Sequence, residues 1–200
     1  AEPFTHTGAL VMQKWNDRLS FSAGVHRGWD NWEEAPGEEQ GSFLGGVTIA
    51  SEDGKGSLAF ALTSGDEAGV ASFENRTMYS AVYSRKLMCD RLTYVLQHDL
   101  GVQEDGVGAV GAVPVDDAQW YGINQYLLYQ LNCCWSAGAR VEWFRDEDGT
   151  RVTGIGDGNA IAGQFFEGDF WEVTLGLNWK PNDNLTIRPE LRFDWFEGTG

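Results

Sequence analysis

From Trp171 the chain alternates. Trp171, Val173, Leu175, Leu177 and Trp179 are apolar, and Glu172, Thr174, Gly176 and Asn178 stand between them. A run of turn formers follows, Pro181-Asn182-Asp183-Asn184. The alternation then resumes with Leu185, Ile187, Pro189, Leu191, Phe193 and Trp195, separated by Thr186, Arg188, Glu190, Arg192 and Asp194. Period two predicts strands, because successive side chains leave opposite faces of the pleat. Two strands about a short turn predict a hairpin. One face of it is apolar with tryptophan at its ends, and the other carries four charges in one strand. Lipid outside and a wet lumen inside impose this pattern on a membrane-spanning barrel. Length agrees: about 10 to 12 residues at ~3.3 Å rise and ~45° tilt cover roughly 25 Å, whereas ordinary strands average about 5 or 6 residues.

The same pattern predicts ten strands, at roughly 7–15, 19–30, 43–51, 57–65, 76–87, 91–101, 119–131, 135–145, 169–180 and 185–197. Short connections (16–18, 52–56, 88–90, 132–134, 181–184) alternate with long ones (31–42, 66–75, 102–118, 146–168). Short turns at one rim and long loops at the other predict an all-β, antiparallel, up-and-down transmembrane β-barrel, with residues 1–200 as a single barrel region. No blade-like repeat of a propeller is present. Both terminal strands reach the long-loop rim, whereas bacterial barrels keep their termini on the short-turn side. The expectation is therefore a segment, incomplete at both ends, of a barrel of at least about 12 strands. In 76–87, Tyr79, Ala81 and Tyr83 are assigned to the lipid side. In 135–145 that side is Trp135, Ala137, Ala139, Val141 and Trp143. Gln125 falls among Tyr121, Ile123, Leu127 and Tyr129, which predicts a bulge or a protein neighbour.

Tryptophan position adds a second signal. Trp15, Trp135 and Trp179 sit beside short turns, and Trp29, Trp120, Trp143, Trp171 and Trp195 near the long-loop ends. Two interfacial belts give this placement, and Trp15, Trp29, Trp135, Trp143, Trp171, Trp179 and Trp195 are the expected aromatic girdle. Charge adds a third. Segments 30–41, 66–74, 102–118 and 146–169 hold eighteen acids against one base, Arg151, so nearly all of the net charge of −16 belongs to one rim. That balance argues against a nucleic-acid partner. A mean hydropathy of −0.34 and the lack of any long apolar run exclude helical spans but not strands.

The chain also resembles the OmpL-like β-barrel porins, the β-barrel porin-2 family, over essentially its whole length. The resemblance rests on His6-Thr7-Gly8, Arg27-Gly28-Trp29-Asp30-Asn31-Trp32-Glu33, Phe43-Leu44-Gly45-Gly46-Val47 and Asn75-Arg76-Thr77-Met78-Tyr79. It continues in Gln97-His98-Asp99, Trp120-Tyr121-Gly122-Ile123-Asn124-Gln125-Tyr126, Glu142-Trp143-Phe144-Arg145-Asp146 and Arg188-Pro189-Glu190. It implies a bacterial outer-membrane porin and brings no catalytic residues, cofactor or established substrate.

Arg188, Glu190, Arg192 and Asp194 share one face, with Arg140, Glu142 and Glu172 expected to flank them. These seven are the expected pore-lining residues, because charged ladders bias ion passage. A salt-bridged wall that only holds strand register is the structural alternative. His6, His26 and His98 are expected near the long-loop rim. His98 and Asp99 leave opposite faces and form no dyad. No catalytic set, metal site or cofactor is expected, and Asp146-Glu147-Asp148-Gly149 lacks the ligand spacing of a calcium loop. Cys89 and the Cys133-Cys134 pair fall in consecutive short turns, which predicts a disulfide from Cys89 to one of the pair on an oxidising rim. The functional expectation is a passive channel for small hydrophilic solutes or ions in contact with outer-membrane lipid. A homo-oligomer is compatible with it. A soluble Trp-rich sandwich that binds carbohydrate and a plugged barrel acting as adhesin or anchor are the rival readings.

Overall fold

The computed structural model describes residues 5–29, 32, 41–68, 73–105, 117–152 and 166–198. These residues form one sheet. Its strands are β1 (Gly8–Lys14), β2 (Leu19–His26), β3 (Ser42–Ala50), β4 (Gly56–Ala68), β5 (Phe73–Leu87), β6 (Leu92–Glu104), β7 (Asp117–Gln130), β8 (Trp135–Asp146), β9 (Gly168–Asn182), β10 (Leu185–Ile187) and β11 (Glu190–Gly198). Each of β1 to β9 pairs antiparallel with the next, and β10 and β11 both pair with β9. Strands β4 to β9 run 12 to 15 residues, about twice the ordinary length or more. No helix among the described residues is long and apolar enough to cross a membrane.

The expected tenth strand, 185–197, is two. Pro189 has no N–H to give to the ladder, and the register with β9 shifts between Leu185 and Ile187. The Pro189 carbonyl still accepts from the Leu177 N–H at 3.1 Å, so the break is local. The preceding turn is tighter than expected: β9 runs through Pro181 and Asn182, and the Asn182 side chain accepts from the Asn184 N–H at 3.0 Å. No bulge occurs at Gln125. The β6–β7 and β7–β8 ladders pass through it in register, and its side-chain oxygen accepts from the Tyr94 hydroxyl at 3.0 Å. A polar residue on the apolar face thus finds a partner without bending the strand.

The ladder fixes which side chains share a face. Leu175 lies opposite Ala139 and Leu191, and Leu177 opposite Ala137. Leu175, Leu177 and Leu191 are 51%, 41% and 64% exposed. A sandwich would bury them against a second sheet, and among the described residues there is none, which overturns that reading. Tyr79, Ala81 and Tyr83 pair with Leu62, Phe60 and Leu58 on β4 and with Leu100, His98 and Leu96 on β6, so they belong to the apolar face as assigned.

The sheet curls toward its polar face. Strands β2 and β7 are five spacings apart, about 24 Å in a flat sheet. Trp29 lies only three residues beyond β2, a reach of about 10 Å at most. Its ring nevertheless meets that of Trp120 on β7, centroids 6.2 Å apart. Curvature supplies the rest.

Candidate functional site: three rows on the polar face

Strands β8, β9 and β11 lay three rows of side chains across the polar face, each set by the ladder. Nearest the long-loop rim, Phe144 faces Phe170, which faces Phe196. Their ring centroids are 6.0 and 4.6 Å apart. The next row is acidic: Glu142, Glu172 and Asp194. The third is Arg140, Thr174 and Arg192. Like charges directly opposite one another repel, so the acidic row depends on the basic row beside it.

Glu172 is the hub. Its Oε1 accepts from Arg140 Nε at 2.7 Å, from a second Arg140 nitrogen and from the Thr174 hydroxyl. Its Oε2 meets Arg192 Nη2 at 2.9 Å. Arg192 also holds Asp194 at 2.7 Å, and Arg140 approaches Glu142 at 3.9 Å. Five of the seven charges predicted for this face are thereby joined in one network. Arg188 and Glu190 lie apart from it; with Tyr126 and Asn178 they line a recess of about 440 Å³ on the short-turn side, which Arg140 and Arg192 of the network also border. The phenylalanine row and Thr174 escape a reading by charge. Thr174 was visible only as a letter in the alternation, and the rings only through strand pairing.

A second cluster closes the polar face at the long-loop rim. Trp29, Met78 and Trp120 are buried together with Phe144 against them. Trp29 was expected on the outer aromatic belt. It lies inside instead, because its backbone N–H donates to the Glu67 carboxylate at 2.8 Å. Beside it His26 is buried, its Nε2 3.0 Å from the Thr63 hydroxyl and its Nδ1 3.2 Å from His6 Nδ1. His98 departs from the rim altogether. Strand β6 continues to Glu104, which leaves His98 at mid-strand on the apolar face, stacked on Tyr79.

The apolar face carries two tryptophan rows. Trp143, Trp171 and Trp195 stand in register near the long-loop rim, centroids 6.1 and 6.0 Å apart. Trp135 stacks on Trp179 at 5.6 Å near the short turns. Trp15, 71% exposed, sits at the β1–β2 turn. Along β9 the two rows are eight residues apart, about 27 Å of strand or about 20 Å of height at the usual tilt. The Trp143 indole donates to Asp169 at 2.8 Å, and Arg145 links Asp169 to Glu147. Beyond the end of β8, Glu147 accepts from the Tyr121 hydroxyl at 2.6 Å. That bond, then Arg145, hold its carboxyl below the ordinary range against the opposing effect of burial.

All three cysteines are free thiols. The sulfurs of Cys133 and Cys134 are 3.3 Å apart, and this contact pushes the Cys134 thiol up. The Cys89 turn neighbours theirs through Arg91, whose side chain donates to the carbonyls of Gln130 and Leu131. Met88, Cys89 and Asp90 all have φ between 53° and 66°, a left-handed run that non-glycine residues enter at a cost of about 1 kcal/mol or more each.

Of the acidic loops, segments 33–40, 106–116 and 153–165 lie outside the described residues. Asp146 is described and buried; its carboxylate accepts three backbone N–H groups, from Thr150, Arg151 and Val152. Those bonds use it as a turn anchor. Among the described residues no group of His, Cys, Asp and Glu is placed to hold a metal.

Residues 1–200 match the family model described as Putative beta-barrel porin-2, OmpL-like. No curated protein and no solved structure matches the chain.

Proposed function

The chain belongs to the OmpL-like β-barrel porin family, and from that premise we propose that it forms a passive channel for small hydrophilic solutes or ions through the bacterial outer membrane. Membership carries a porin-type outer-membrane function in general; the channel role and its lining are our reading. One observation supports it above the rest. The same strands put Val173, Leu175 and Leu177 on one face, and on the other an ionic network of Arg140, Glu142, Glu172, Arg192 and Asp194. An arginine on a lipid face costs about 2 to 4 kcal/mol at mid-depth, so a network built on Arg140 and Arg192 is read as looking into water. Arg188 and Glu190 extend this lining toward the short turns. The tryptophan rows would meet the two interfaces, and Val173 to Leu177 the hydrocarbon between them. Solutes diffuse along the charged wall, with no covalent step assigned to the protein.

Planar-bilayer recording on the purified protein tests this. Discrete conductance steps are expected. A detergent-requiring barrel that stays silent would instead favour the anchor or adhesin.

A further inference from the structure

The polar face closes around one side chain at its long-loop end. The long connections contain a single base, Arg151, and its guanidinium lies against two tryptophan rings. Asp146, fully buried at the end of β8, draws the next residues back by accepting the backbone N–H groups of Thr150, Arg151 and Val152 at 3.0, 2.7 and 2.9 Å. The returning turn sets the Arg151 guanidinium 5.1 Å from the Trp29 ring centre and 4.9 Å from that of Trp120. Arg76, from β5, approaches Trp29 at 4.8 Å. Trp29 is fixed in turn by Glu67 of β4. The segment after β2, strands β4, β5 and β7, and the turn after β8 therefore converge on one point, although they are spread over seven adjacent strands.

Two flat rings facing a guanidinium hold it by charge–quadrupole attraction, which strengthens when water is excluded. Trp120 is 1% exposed and Trp29 6%, so water is largely excluded here. A fixed positive charge beside a permeation path raises the local potential for cations and lowers it for anions. We infer that Arg151, held in the corner made by the edge-to-face Trp29 and Trp120 rings, is a clamp that narrows the path at the long-loop end and opposes cation passage there. At the clamp Arg151 sets which ions continue. The inference rests on the channel reading and names the selectivity residue of that channel.

Bilayer recording under a KCl gradient separates the two ideas. Four proteins are compared: wild type, Arg151→Gln, Arg151→Lys and Trp29→Ala, each with its strand content checked by circular dichroism. Arg151→Gln is expected to raise conductance about twofold or more and to move the reversal potential toward that of K+. Arg151→Lys keeps the charge but not the planar fork, so conductance should rise with little change in selectivity. Trp29→Ala should behave like the lysine variant. A conducting wild type with both arginine variants unchanged would overturn the clamp and leave the channel standing. A silent wild type whose Arg151→Gln variant conducts would establish the clamp as a plug and end the open-channel reading. Silence in every protein would reject both.

Discussion

Removing the Glu172 carboxylate is the perturbation with the clearest expected size. Its side chain is 6% exposed, and it holds Arg140, 28% exposed, and Arg192, 54% exposed. The Arg192 arm is more than half in water and is worth less than about 1 kcal/mol. The Arg140 arm is a multiply bonded, largely enclosed pair, worth about 1.5 to 3 kcal/mol as charge-assisted hydrogen bonding. Glu142, 3.9 Å from Arg140, offsets part of the loss by remaining as a second acceptor. Glu172→Ala should therefore destabilise the barrel by about 2 to 3 kcal/mol, and Arg192→Ala by no more than about 1. Urea titrations in lipid vesicles, followed by tryptophan emission, measure both. A double-mutant cycle with Arg140→Ala should show a coupling of about 1 to 2 kcal/mol. A Glu172→Ala variant within about 0.5 kcal/mol of wild type, or an Arg192 arm stronger than the Arg140 arm, would refute this ranking.

Three further outcomes follow from local geometry. Asp53, at the β3–β4 turn, accepts from the Ser51 hydroxyl, the Lys55 N–H and Arg85, which together bring its pKa down to about 2. A depressed carboxyl contributes stability above its unfolded pKa of about 3.9, and that contribution fades as pH falls from there to about 2; an NMR titration midpoint near 4 would contradict it. A Cβ on Gly101 would lie 2.2 Å from the Trp120 ring, whereas on Gly176 its nearest heavy atom would be 3.8 Å away. Gly101→Ala should then cost about 1 to 3 kcal/mol and Gly176→Ala almost nothing in the same urea assay. For the cysteines, oxidation is expected to join Cys89 to Cys133 or Cys134. The turn centres are two strand spacings apart, roughly 10 Å if flat, so the turns must close toward the ~7 Å limit. Mass spectrometry that finds three alkylatable thiols, or a Cys133–Cys134 link alone, would rule this pairing out.

What the letters disclosed was alternation, and alternation was enough to assign faces. From Trp171 to Trp179 and from Leu191 to Trp195 the apolar side followed directly from period two, and the charges fell on the other side as a consequence. Boundaries were harder. Strand β6 runs to Glu104 because Val102 and Gln103 continue the ladder with β5 and β7, which moves His98 from the rim to mid-strand; nothing local in Gly101-Val102-Gln103 marks that extension. Pro189 keeps phase with the apolar series, although its missing N–H divides the strand. Trp29 illustrates the deepest limit. Its neighbours on the chain resemble those of any rim tryptophan, and only Glu67, thirty-eight residues away, turns it inward. Partners of that kind are set by curvature, which a one-dimensional pattern does not carry.

The banding of phenylalanine, acid and arginine across β8, β9 and β11 also keys the hairpin against sliding. A slip of one residue would be rejected at once, since it would exchange the two faces. A slip of two leaves every side chain on its proper side, so greasiness alone cannot forbid it. Sliding β11 two places one way sets Phe196 against Glu172, and the other way Asp194 against Phe170. Each error strands a carboxylate beside a benzene ring, so the stripes act as teeth with a single depth of engagement.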